Sequence, residues 1–210
     1  MPVQKGSLRT YISRDIAKLG AMIPSVNLPV GKTCRKFAPC AALCYAKRGR
    51  FSFPNVTKRY RENFERYLED PDGYFADIAA WLQLNPVKYF RFHSSGDIVD
   101  EYYFEKMVQL ADQHREIKFL VFTKKFEIVN GYIEEHRELP NNLTVVFSCW
   151  GSWKPENPFH LPMSYVDLKD GSAKIPGNAI KCSGYCGECV SGLQNCWNLK
   201  LGKSVVFRQH

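Results

Sequence analysis

The chain has 210 residues, 45% hydrophobic and 14% aromatic, with a formal net charge of +8. That is enough apolar material for a packed domain, and it excludes a disordered segment. The longest apolar runs, such as FLVF and TVVF, are far too short to span a membrane. The N-terminus MPVQKGSLRTY has no apolar stretch of the secretory kind, so the expected location is the cytoplasm.

Residues 1–33 read as loop, with SRDIAKLG composed like a short helix. The stretch FSFPNVTKRYRENFERYLED predicts a helix starting at Asn55 or Thr57. Its apolar face carries Val56, Tyr60, Phe64, Tyr67 and Leu68. A second helix, DGYFADIAAWLQLN, ends before Pro86. The period then changes. VKYFRFHSSGD predicts a strand that runs out at Ser94 to Gly96, and DEYYFEKMVQLADQHRE a helix capped by Asp100. IKFLVFTK is a strand, FEIVNGYIEEHREL a helix weakened by Gly131, and NLTVVFSCW a strand. MSYVDL and KSVVFRQ are the last strand candidates.

The middle third therefore alternates strand and helix, which predicts an α/β fold with parallel strands. A full eight-unit barrel takes about 250 residues. The expectation is one domain over 1–210 built as a reduced or partial (β/α) barrel, TIM-like. Cysteine-rich segments at 30–50 and 180–198 would pack on it.

Such folds bind ligands at the carboxyl ends of their strands. The first strand ends in Arg91, His93, Ser94, Ser95, Gly96 and Asp97, the second in Thr123, Lys124 and Lys125, the third in Ser148, Cys149 and Trp150. Alternation points Arg91 and His93 the same way. A buried guanidinium there is costly unless it is paired or meets an anion. Both become candidates for holding an anionic group, with Asp97 contacting an amine. The plainer readings are a core histidine, a turn at SSGD, a solvated Lys124 and a small buried thiol at Cys149.

Eight cysteines fall mostly into two groups. A reducing compartment favours metal or iron–sulfur ligation over disulfides. Cys182, Cys186 and Cys189 have the spacing C-x3-C-x2-C, with Cys196 available as a fourth ligand. Four thiolates close a site, which suits structure or electron transfer, and zinc is the alternative occupant. Gly184, Gly187 and Gly192 would aim amides at the sulfurs. The first group, Cys34, Cys40 and Cys44, has only three members. Either one iron stays open to a ligand, or Cys149 reaches across and closes the site. Residues 32–66 hold ten Lys or Arg against Glu62 and Glu65, which is the whole charge excess. Lys32, Arg35, Lys36, Lys47 and Arg48 would stabilise thiolates or simply be solvated.

The segment CRKFAPCAALCYA and the strand end FHSSGD resemble the radical S-adenosylmethionine enzymes. Their three-cysteine loop leaves one iron open to the cofactor, and a Gly-Gly-Glu segment ends their second strand. The resemblance implies a partial barrel with a [4Fe–4S] cluster on Cys34, Cys40 and Cys44. It also implies that Ser95, Gly96 and Asp97 approach the methionine end of the cofactor. The C-terminal cysteines resemble appended auxiliary-cluster regions, so one or two clusters are implied. This sequence departs from the family in its wider C-x5-C-x3-C spacing and in an aromatic residue, Tyr45, that follows the last cysteine. The chain also resembles small phage-encoded proteins with a C…C…CYA start and a strand ending in SGD, which implies the host cytoplasm.

Two functions follow from these readings. One is an iron–sulfur protein, a redox or radical-type enzyme on a small molecule, served by an electron-donor protein. The other is a zinc-binding nucleic-acid interaction protein using the segment from Lys32 to Arg66.

Overall fold

The computed structural model describes residues 8–14, 16–151, 153–192 and 195–209. Eight strands form one sheet: β1 (Ile12–Ser13), β2 (Ser25–Val26), β3 (Tyr89–Phe92), β4 (Lys118–Thr123), β5 (Leu143–Ser148), β6 (Met163–Asp167), β7 (Ile180–Lys181) and β8 (Ser204–Arg208). Their order is β1-β2-β3-β4-β5-β6-β8-β7. Only β1 and β2 are antiparallel, and every other neighbouring pair is parallel. The end strands β1 and β7 do not pair, so the sheet is open among the described residues.

Four helices follow the expected segments: α1 (Pro54–Glu69), α2 (Pro71–Leu84), α3 (Glu101–Gln113) and α4 (Phe126–His136). Two start on side-chain caps. Asp70 accepts from the Gly73 amide, and Asp100 accepts from the Tyr103 amide, satisfying donors that the first turn leaves free. In α1 the buried positions are Tyr60, Asn63 and Tyr67, while Leu68 is 60% exposed. The expected apolar face is thus turned by about one position. Asn63 belongs to the packed side because its amide donates to the carbonyls of Tyr11 and Asn27. At SRDIAKLG the chain makes turns, with the amides of Leu19 and Gly20 both meeting the Ile16 carbonyl. Asp15 lies outside the described residues.

The two faces of the sheet have different covers. Phe90, Phe92, Phe119, Val121, Val145 and Phe147 pack against the helices. The alternate residues Leu120 and Val146 pack instead against Leu19, Ile23, Cys186 and Trp197. The helices therefore share one face, and segments from near both chain ends cover the other. There Cys186 donates its amide to the Lys18 carbonyl at 2.8 Å, and the Trp197 indole donates to the Phe90 carbonyl at 3.2 Å. The short helix α5 (Cys186–Cys189) belongs to this second cover.

Candidate functional site

A cavity of ≈ 890 Å³ opens at the carboxyl ends of β3, β4 and β5. Its walls include Cys34, Cys40 and Cys44 on one side, and Arg91, His93, Ser94, Ser95, Gly96 and Asp97 with Lys124 and Cys149 on another. These eleven residues, from segments far apart in sequence, thus border one chamber. Its volume lies within the range of small-molecule sites. The walls carry eight Lys or Arg and a single acid, Asp97.

The turn after β3 is held by buried side chains. Asn27, fully buried, accepts from the amides of Ser94 and Ser95 at 2.7 and 3.1 Å and donates to the hydroxyls of Ser13 and Ser25. Tyr45 donates to the Ser94 carbonyl at 2.7 Å, which ties the cysteine loop to the strand end. Gly96 has φ +82, and a Cβ there would lie 2.7–2.8 Å from Leu28 and Thr33 atoms, so glycine is required.

Asp97, expected to contact an amine, is held first by donors of the protein itself. Its oxygens accept from the Thr123 hydroxyl at 2.6 Å and from the amides of Lys124 and Ile98 at 2.9 and 2.8 Å. These bonds knit the end of β3 to the end of β4. Burial pushes the Asp97 carboxyl upward, opposed by those three donors. Lys124 contributes its amide to this knot, and its carbonyl accepts from Arg35.

Arg91 and His93 border the same cavity through different walls. Arg91 stacks over Phe122 at 4.9 Å on the face away from the helices. His93 leaves the strand at φ +58, and its Nε2 meets the Tyr103 hydroxyl of α3 at 3.0 Å. The broken alternation comes from that left-handed turn, uncommon for histidine and a mark of local strain. Burial, then the Arg91 charge, pulls the His93 pKa down to about 3. The ring is therefore neutral near pH 7. Because the folded value lies below the unfolded one near 6.5, its contribution to stability is complete above pH 6.5 and is lost as pH falls toward 3. Asp97, shifted upward, works in the opposite sense. His93→Asn, whose side chain tolerates the left-handed turn, is expected to flatten the acid limb of a pH series of urea denaturation midpoints. An unchanged limb in the variant would contradict the buried neutral ring.

The cysteine loop is anchored by Arg35, which pairs with Glu127 of α4 and lies over Trp153 at 5.7 Å. Lys47 donates to the Ala41 carbonyl. Of the five cations expected to support the thiolates, only Arg48 borders the cavity, joined there by Arg50 and Arg59. Burial raises the Cys34 thiol, with Asp97, Cys44 and Cys40 adding to the effect, and the Gly31 amide donates to its sulfur at 3.4 Å. Cys149 keeps different company. Burial pushes it up to about 11, opposed by Lys154, Lys124 and a bond with Tyr165. It shares the cavity of the loop cysteines.

Cys182, Cys186, Cys189 and Cys196 border a second cavity of ≈ 310 Å³ with Lys18 and Arg91. Burial, then Cys186, raises the Cys196 thiol to about 12. The Gly184 amide donates to the Cys182 sulfur at 3.4 Å, as expected, whereas the Gly192 amide meets the Cys189 carbonyl. Among the described residues no three His, Cys, Asp or Glu side chains converge as the ligands of a single metal ion do. Nor is any described helix long and apolar enough to cross a membrane.

Sequence reasoning missed Asn27, Asn63 and Thr33, none of which sits in a motif and each of which acts through a partner distant in sequence. It named Thr123 and Tyr45 but not the bonds they make to Asp97 and Ser94. No curated protein and no solved structure matches the chain. The family described as Gene product 88 matches residues 4–175, which include the first cysteine group and all three strand ends. The chain belongs to the Gene product 88 family, a phage-type family.

Proposed function

We propose that this chain is an iron–sulfur protein whose loop cysteines Cys34, Cys40 and Cys44 hold a [4Fe–4S] cluster at the wall of the large cavity. The observation that carries the reading is the shared chamber: three thiols, the SSGD turn, Lys124 and Cys149 all border it. Thiolates bind a cluster at separate corners, so they need not converge on one point as single-ion ligands must. Amides aimed at the Cys34 and Cys182 sulfurs are the kind of donor that tunes such sites. The sequential strand order from β1 to β6, with four helices on one face, suits a partial, TIM-like barrel curled around this chamber.

Three loop thiolates leave an iron free for S-adenosylmethionine, and closure of the site by Cys149 is the alternative. The radical-type reading places small-molecule chemistry in the remaining space, with an electron-donor protein as partner. The C-terminal cysteines would hold a second cluster as relay or fold support. Zinc in either group, with nucleic acid as partner, is the competing outcome.

Metal and acid-labile sulfide analysis of anaerobically purified protein is expected to give about four to eight irons per chain, with a brown colour. A colourless zinc protein, or free thiols without metal, would sink the reading. EPR of the reduced protein should change on adding S-adenosylmethionine, in wild type and in Cys149→Ala alike. A change confined to Cys149→Ala would make Cys149 the closing ligand and remove the radical-type reading.

A further inference from the structure

Among the described residues four buried side-chain polar atoms have no hydrogen-bond partner, and three of them are Arg91 Nε, His93 Nδ1 and Ser94 Oγ. All three residues border the large cavity. Their exposures are 9%, 3% and 4%. No hydrogen bond or ion pair from a described residue reaches the Arg91 guanidinium, which lies over the Phe122 ring and whose charge acts on His93, Tyr45, Cys186 and Cys196. Unsatisfied buried groups are rare, and a buried guanidinium without an anion is costlier still. Three within four residues, at the strand end where α/β folds bind ligands, mark a set of donors awaiting an acceptor.

We propose that Arg91, His93 and Ser94 form an oxyanion subsite for the phosphate group of a small phosphorylated substrate. The donors differ in kind: a planar fork of N–H groups, an imidazole N–H and a hydroxyl. The tautomer that offers Nδ1–H to the anion is the one in which Nε2 accepts from the Tyr103 hydroxyl, 3.0 Å away. A tetrahedral phosphate has enough oxygens to meet all three, whereas a carboxylate is already matched by the guanidinium alone. The rest of the chamber agrees with a ligand of more than one negative charge. Eight Lys or Arg border it, exposed Arg48, Arg50 and Arg208 among them, against one acid whose oxygens are occupied by Thr123, Lys124 and Ile98. The inference rests on the cavity being a ligand chamber, and it holds with or without a cluster there.

The test is calorimetric titration of the full chain, purified anaerobically, with inorganic phosphate, and with acetate as comparison. Iron is assayed in the same samples. Phosphate should bind at least about tenfold more tightly than acetate. Arg91→Gln should weaken it about tenfold or more, and Ser94→Ala a few-fold, with circular dichroism unchanged. Arg91→Met should raise the melting temperature while abolishing binding, because a buried charge without a partner costs stability in the free protein. A folded Arg91→Gln that binds phosphate like wild type would overturn the proposal. So would loss of iron in Arg91→Gln with phosphate binding intact, which would assign Arg91 to the neighbouring thiolates. Binding confined to a single-stranded oligonucleotide and indifferent to Arg91 would also overturn it. Phosphate binding that depends on Arg91 in iron-free protein would uphold it while the cluster reading fails.

Discussion

Gly96→Ala is expected to remove about 2–5 kcal/mol of stability, read as a shift of the urea midpoint by far-UV circular dichroism. Two costs add. A side chain in the left-handed region costs about 1–2 kcal/mol. Here φ is +82, and the new Cβ also meets the Leu28 carbonyl oxygen at 2.8 Å, which is backbone and cannot swing aside. Forcing that contact adds about 1–3 kcal/mol. Gly31 is the internal control, with φ +83 and no atom within 4 Å of its missing Cβ. Gly31→Ala should therefore lose only about 1–2 kcal/mol. Equal losses at the two sites would mean that packing around Gly96 contributes nothing. Domains hold about 5–15 kcal/mol in total, so the Gly96 change weakens the whole fold as well as the ligand turn.

Asn27→Ala should cost about 3–5 kcal/mol, because it strands the buried amides of Ser94 and Ser95 together with two hydroxyl partners. Each stranded amide costs about 1–3 kcal/mol, and no water-sized substitute arrives with the alanine methyl. Ser25→Ala removes only one neutral acceptor from the same network and should cost about 1 kcal/mol. Hydrogen exchange at the Ser94 and Ser95 amides should accelerate in Asn27→Ala well beyond the change at β4 amides. A loss under 1 kcal/mol would mean the turn is held by Tyr45 and Gly96 without Asn27. Either way the experiment reports on the ligand wall, since Ser94 and Asp97 border the cavity on both sides of this turn.

The middle of the chain was legible one residue at a time. Period-two and helical patterns are local, so β3, β4 and β5 appear within two residues of where the pattern puts them, and α3 and α4 stop three residues short of it. Asp100 as a helix cap is likewise a three-residue matter. The strand-end rule then brought Arg91, residues 93–97, Lys124 and Cys149 to one place, because parallel strands in register end on the same side. The two-residue strands β1, β2 and β7 carry no period long enough to read.

Other features required the folded chain. Whether Arg91 meets an anion depends on what packs over it, and the composition of a strand says nothing about that. His93 departs from strand alternation because one backbone dihedral turns left-handed and its ring meets the hydroxyl of a tyrosine ten residues on. Asp97 looks like a free ligand group in SSGD, yet Thr123 and Lys124 occupy it from the next strand. Asn27 carries no motif and gains its role from amides 67 and 68 residues away. The cysteine spacing marked both thiol groups. Only the packing put one at the strand ends and the other on the sheet face away from the helices, with Arg91 bordering both cavities. Spacing along a chain limits which side chains can be neighbours locally, whereas burial, partners and the sharing of a cavity are set by contacts between distant segments.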